Sequence, residues 1–169
     1  MKIQQYVLAA VFTVCAFPAF AAGACYTPAQ QQAEQLLRLH SELMVITVTC
    51  RTGSNGEPLP AAYGDFTKKN INVLHDAEQT MIAYYKANTK GNPQDHLDRL
   101  RTILGNEFGQ KDADMSAPAF CGMYRDRVLQ FDGASPADVQ NEVQRMEIAE
   151  RSYVKPCNMP GTVVAKKGN

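Results

Sequence analysis

Side chains able to do chemistry are few in this 169-residue chain, and most are scattered. Of its three histidines only His75 has company: the run Ile71-Asn72-Val73-Leu74-His75-Asp76-Ala77-Glu78 is followed by Tyr84-Tyr85 within one apolar-periodic stretch. An imidazole titrates near neutral pH, so His75-Asp76 is the pairing best suited to proton transfer. His40 and His96 stand alone, and Glu34, Glu42, Glu78 and Glu107 fall singly on expected polar faces, forming no obvious acid/base couple. Arg99-Leu100-Arg101 and Arg125-Asp126-Arg127 read as solvated helix faces.

A His-Asp pair on a helix with tyrosines after it, in a small exported helical protein rich in cystine, is similar to the pattern of the secreted phospholipases A2. The resemblance covers this one short run. It implies a hydrolase in which His75 is the general base and Asp76 a calcium ligand. The chain departs from that pattern in having no cysteine just before the pair and no glycine-rich calcium loop ahead of it.

Other chemistries find less support. No Cys-x-x-Cys, His-x-x-x-His or Asp-x-Asp-x-Asp spacing occurs, so no metal site is expected, and the absence of Cys-x-x-Cys-His excludes covalent c-type haem. Met123, Met146 and Met159 are soft ligands in principle, but methionines at helical spacing read as core. There is no Gly-x-Ser-x-Gly, no phosphate-cradling loop and no nucleotide fingerprint, hence no expected cofactor. With 17 basic and 17 acidic residues and a pI near 6.8, nothing attracts nucleic acid.

The amino terminus bears on where any chemistry would take place. Lys2 precedes the apolar run Val7–Phe17, then Pro18 and the small residues Ala19-Phe20-Ala21-Ala22-Gly23-Ala24. That order reads as a signal peptide over 1–24, its apolar run short of the ~20 residues that span a bilayer. Ala22-Gly23-Ala24-Cys25 also resembles a bacterial lipoprotein box with Ala in place of the usual Leu. Lipidation of Cys25 would strand three cysteines, whereas a soluble mature chain keeps Cys25, Cys50, Cys121 and Cys157, an even set suited to two disulfides. A periplasmic or secreted protein of a Gram-negative bacterium is the expectation.

The elements that must position these residues are marked by recurring start signals. Thr27-Pro28-Ala29-Gln30, Asn92-Pro93-Gln94-Asp95 and Ser135-Pro136-Ala137-Asp138 each put a capping side chain first and Pro at the first helical position. Gly53, Gly91, Gly109 and Gly133 read as stops. Between them apolar residues recur every three or four positions. Pro28 to Cys50 is the first helix, and Phe66, Val73, Ala77, Met81 and Tyr84 line a second. Leu97 to Phe108 marks a third, Phe120 to Phe131 a fourth, and Val139 to Tyr153 a fifth. Arg51 to Gly64 reads as the one long connection, and 161–169 as a flexible tail.

The expected fold is therefore an all-α, single-domain bundle of about five amphipathic helices over 25–160, carrying two disulfides. A continuous helix from Pro28 to Cys50 is about 33 Å long, so Cys25 cannot reach Cys50, since bridged Cα atoms lie within ~7 Å. Two pairings remain: Cys25–Cys121 with Cys50–Cys157, which is preferred, or Cys25–Cys157 with Cys50–Cys121. The functional expectation is a non-enzymatic exported protein that binds another protein or an envelope component. A hydrolase using His75 and Asp76, or a ligand- or metal-binding bundle, are the alternatives.

Overall fold

The computed structural model describes residues 25–146 and 152–157. The signal segment expected over 1–24, the tail 161–169 and Met159 lie outside the described residues. Seven helical segments follow in order: α1 (Pro28–Cys50), α2 (Leu59–Lys69), α3 (Ile71–Asn88), α4 (Pro93–Asp114), α5 (Ala117–Tyr124), the single turn α6 (Asp126–Leu129) and α7 (Pro136–Arg145). No strand occurs among the described residues, only two isolated bridges, Tyr26 with Pro156 and Thr52 with Pro58. No described helix is long and apolar enough to cross a membrane.

All three start signals open helices. Thr27 Oγ1 accepts from the Gln30 N–H while Gln30 Oε1 accepts from the Thr27 N–H; Ser135 and Asp138 form the same reciprocal box. Asn92 Oδ1 accepts from the Gln94 N–H. The chain turns through left-handed backbone at Gly91 (φ 94°) and Gly133 (φ 65°), where a side chain would be strained. Gly109 is no stop: α4 runs through it to Asp114, and Lys111, one turn beyond Phe108, lays its ammonium over the Phe108 ring.

Other boundaries also differ. The expected second helix is two, broken at Asn70, whose buried side-chain amide donates to Phe66 O at 2.9 Å and Ala134 O at 3.1 Å. This tie to a distant loop outweighs the continuous apolar spacing. The last six residues of the supposed long connection belong to α2, leaving a loop over 51–58. There a Cβ on Gly53 would stand 2.7 Å from Glu57 Oε2 and Leu129 Cδ1, so both side-chain ends would have to shift to admit one. The fourth helix bends at Arg125 into α5 and α6. The fifth ends at Arg145, and Tyr153 belongs instead to an extended strap, 152–157.

Every other helix packs on α1. α1 is therefore buried nearly all round, with Leu37, Leu39, Leu43 and Ile46 at the centre of a core completed by Phe66, Met81, Leu97, Leu104 and Phe120. The β-branched run Val45-Ile46-Thr47-Val48-Thr49 stays helical because this packing overrides its strand propensity. The bridges join Cys25 to Cys157 and Cys50 to Cys121. The preferred pairing is thus reversed: the strap returns to the amino end of α1, which brings Cys157 to Cys25 and leaves Cys50 facing α5.

Candidate functional site

α1 presents a polar stripe where its surroundings call for apolar residues. Gln31, Glu34, Gln35, Arg38 and Glu42 follow at three- and four-residue spacing and so share one side of the helix. A buried carboxylate is costly unless it is paired, and Glu34, 0% exposed, is well supplied. Arg38 Nη2 donates to its Oε1 at 3.1 Å, and the Tyr153 N–H donates to both oxygens at 2.8 and 3.0 Å. The strap carrying Tyr153 is itself tied down: the Tyr26 N–H donates to Lys155 O and the Cys157 N–H to Tyr26 O, both at 2.9 Å.

Burial pushes the Glu34 carboxyl above the usual carboxylate range, opposed by the bonds from Tyr153 and Arg38. Beside it the Tyr26 hydroxyl is buried, facing Glu34 and Tyr85, and desolvation raises its pKa strongly. The Gln35 amide is likewise buried with neither polar atom bonded.

Farther along, the stripe opens to solvent. Arg38 and Glu42 wall a cleft of about 560 Å³ together with Leu104, Glu107, Phe108 and Lys111 of α4, Tyr124 of α5, Arg127 of α6 and Met146. That volume suits a ligand or an inserted side chain, which take roughly 300–1,000 Å³. Two chains of alternating charge fix its walls. In one, Arg38 is held between Glu34 and Glu107. In the other, Arg127 reaches Glu42 at 3.3 Å and Glu142 at 2.6 Å, and Arg145 closes on Glu142 at 2.8 Å. The floor is aromatic: Phe108 and Tyr124 meet with centroids 5.2 Å apart, and the buried Phe120 packs behind them at 5.8 and 5.0 Å. Lys111 Nζ stands 4.3 Å from the Phe108 centroid and 5.6 Å from that of Tyr124, a cation–π contact at the rim.

Comparison of the chain with protein-family models, curated proteins and solved structures finds no match. The geometry alone therefore says what the cleft can do. Its arginines are anchored by carboxylates and only partly exposed, so it offers charges of both signs in set positions above an apolar surface, an arrangement for recognition.

His75 and Asp76 are neighbours on α3 and both exposed, with no hydrogen bond between their side chains. Asp76 edges a smaller groove of about 210 Å³ between α1, α3 and α7, floored by Ala33, Leu36, Val73, Ala77, Val139 and Val143; His75 is not part of it. Tyr84 and Tyr85, by contrast, are buried, Tyr84 edge-on to Tyr26 at 4.8 Å. The structure thus separates the pair from the tyrosines that follow it in sequence.

Of the residues read as solitary, His40 is hydrogen-bonded through Nε2 to Tyr63 Oη at 2.8 Å, and burial, aided by Arg101, lowers its pKa to about 4. His96 stacks on Tyr85. Glu34 lies in the interior rather than on a polar face, Arg101 pairs with Glu78, and Arg127 is a wall of the cleft. Met123 is 66% exposed, so it is not core, whereas Met146 is. The signal for the stripe was in the sequence: Glu34, Arg38 and Glu42 repeat every four residues with alternating charge along a helix otherwise dense in leucine.

Proposed function

We propose that this chain is an exported, disulfide-stapled helical protein that works by binding another protein or an envelope component through the cleft between α1, α4, α5 and α6. The cleft's combination of anchored ion chains and aromatic floor carries this reading. Charges already held in position lose little side-chain entropy when a partner docks, and charges of both signs select the partner's orientation. The two bridges and the leading segment support placement in an oxidising compartment, the periplasm of a Gram-negative bacterium or the extracellular space.

The test is site-specific photo-crosslinking in the cell envelope of a bacterial host. A photoreactive residue in place of Lys111, at the cleft rim, should yield a discrete protein adduct, and the same residue in place of Lys86, exposed on α3, should not. Equal labelling at both positions, or none at Lys111, would overturn the reading.

A further inference from the structure

The loop over 51–58 carries a reactive pair that the helices lack. Asn55-Gly56 is the one Asn-Gly step in the sequence, and Ser54, Asn55 and Gly56 are all exposed at the tip of the loop. An asparagine amide is electrophilic at Cγ, and the backbone nitrogen of the next residue can close a five-membered ring on it where no side chain on that residue stands in the way. Gly56 has no Cβ, its φ is 93°, and no atom lies within 4 Å of where a Cβ would be, so the peptide is free to turn. Asn70, Asn72, Asn88, Asn106 and Asn141 each precede a residue with a side chain, and Asn92 precedes Pro93, which has no N–H. Three bonds restrain the pair. The Gly56 N–H donates to Gly53 O at 3.2 Å, while Glu57 holds Asn55 with both carboxylate oxygens, Oε2 accepting from the backbone N–H at 3.1 Å and Oε1 from Nδ2 at 3.2 Å. All are long and open to water, where such bonds contribute little net.

We propose that Asn55-Gly56 is a self-modification site at which the chain deamidates, with Glu57 as its brake. The Gly56 nitrogen gives up its proton and bonds to Asn55 Cγ; the Cγ–Nδ2 bond breaks, and Nδ2 takes up that proton and leaves as ammonia. Water then opens the succinimide ring at either carbonyl. One opening gives aspartate, the other isoaspartate, in which the main chain runs through Cβ and Cγ. Water is the only co-reactant, and nothing is oxidised or reduced. Either product removes the Nδ2 donor and adds a negative charge to a loop where Glu57 and Asp126 already face each other, so attraction to Glu57 becomes repulsion. Isoaspartate also lengthens the main chain by one carbon, which breaks the register of the Gly53–Gly56 turn. The Ser54 N–H, which donates to Asp126 Oδ1 at 2.9 Å and ties this turn to α6, loses its fixed position. The modification thereby reaches the segment that carries Arg127.

The conversion is independent of what the cleft binds, and the intact, oxidised protein incubated in warm, mildly alkaline buffer tests it. With 17 basic and 17 acidic residues in the chain, one added negative charge separates on anion exchange. A more acidic species should accumulate over an unincubated control. Its tryptic peptide Thr52–Lys68 should be heavier by one mass unit and split into aspartyl and isoaspartyl forms, with the peptides that hold Asn88 and Asn106 unchanged. Asn55→Gln, whose longer side chain would have to close a six-membered ring, should gain no such species. Glu57→Ala should convert about two- to threefold faster, the worth of one exposed restraint. Conversion at Asn55 no faster than at Asn106, or the same acidic species forming in Asn55→Gln, would overturn the site. A rate in Glu57→Ala at or below that of the wild type would overturn the brake.

Discussion

The two ends of α1 are stapled alike and built differently. At its carboxyl end the Cys50–Cys121 bridge ties it to α5 amid Leu43, Ile46, Phe66 and Phe120, all 0% exposed, and the contacts there are dispersion and area burial. At its amino end the Cys25–Cys157 bridge ties it to a six-residue strap held by two backbone hydrogen bonds and a buried carboxylate. Apolar packing has one best arrangement and no titratable state. The polar end holds a buried carboxylate and leaves the Gln35 amide unsatisfied. The contrast sets dispersion packing at one end of the helix against a buried ionisable network at the other, with the cleft lying between them.

The largest expected effect separates the two bridges. Loop-closure entropy alone favours the longer loop, 132 residues against 71, by only about 0.5 kcal/mol. Fixing by neighbours matters more. Without its bridge the strap is held by two backbone hydrogen bonds and its bonds to Glu34 rather than by helix packing, so the folded state regains freedom and part of the entropic effect cancels. Cys50 and Cys121 sit in packed helices that stay put. Replacing Cys50 and Cys121 by alanine should therefore cost about 4 kcal/mol, and replacing Cys25 and Cys157 about 2, both with most helicity retained. Urea titrations read by far-UV circular dichroism measure both, and a larger loss for the strap bridge breaks the comparison.

Next in size is side-chain truncation at the two ends. Leu43→Ala opens a cavity in the rigid end and should cost about 2–5 kcal/mol. Glu34→Gln keeps the shape and can still accept from Tyr153, while removing a charge whose burial is unfavourable, and should cost about 1 kcal/mol or less. Equal losses in thermal or urea unfolding would mean that the polar end is as tightly specified as the apolar one.

A smaller effect lies in the sign of the pH dependence. His40 has a folded pKa of about 4, below its unfolded value of 6.5, so its contribution is present above pH 6.5 and is lost as pH falls towards 4. Glu34 is raised above 4.5, so the fold is favoured as pH falls through its folded value, the opposite slope. Between about pH 6.5 and 4.5 the two oppose each other, whereas the exposed carboxylates Glu57, Asp126 and Asp138, whose pKa values are lowered, act below that window. His40→Asn should therefore tilt stability towards acid relative to the wild type, and Glu34→Gln should tilt it towards neutral pH. Urea midpoints at pH 7 and 5 give the sign directly.

How far the sequence predicts this architecture depends on the range of the forces involved. Helix starts are local: Thr27, Asn92 and Ser135 cap within three residues, and all three were legible. The all-helical class and the impossibility of a Cys25–Cys50 bridge followed from spacing. Breaks made by tertiary bonds were not: Asn70 interrupts an unbroken apolar period because its amide reaches Ala134, 64 residues away. The disulfide partners went astray for the same reason, since the return of the strap is set by contacts between Glu34 and Tyr153, 119 residues apart. Charge was misplaced in both directions. Glu34 and Arg127 read as solvated and proved structural, because a helix surrounded on every side has no polar face to spare. His75 and Asp76 drew attention by adjacency in sequence, which on a helix points neighbouring side chains about 100° apart.

That geometry frames the smallest expected effect. His75 is exposed on α3 and lies outside the groove that Asp76 edges, so its removal takes away neither packing nor a hydrogen bond seen among the described residues. His75→Ala should change stability by no more than about 0.5 kcal/mol, as exposed substitutions usually do. A general base must also stand within hydrogen-bond reach of the proton it takes, with a substrate seated beside it. A cation bound only through an exposed Asp76 would compete with water for every other ligand position, whereas calcium takes about six to eight oxygens. Purified, oxidised protein is thus expected to show no calcium-stimulated ester hydrolysis on mixed phospholipid vesicles. Calcium-stimulated hydrolysis that vanishes in His75→Ala would move the function from the cleft to α3. A substitution silent in both stability and hydrolysis leaves His75 as a surface residue of α3.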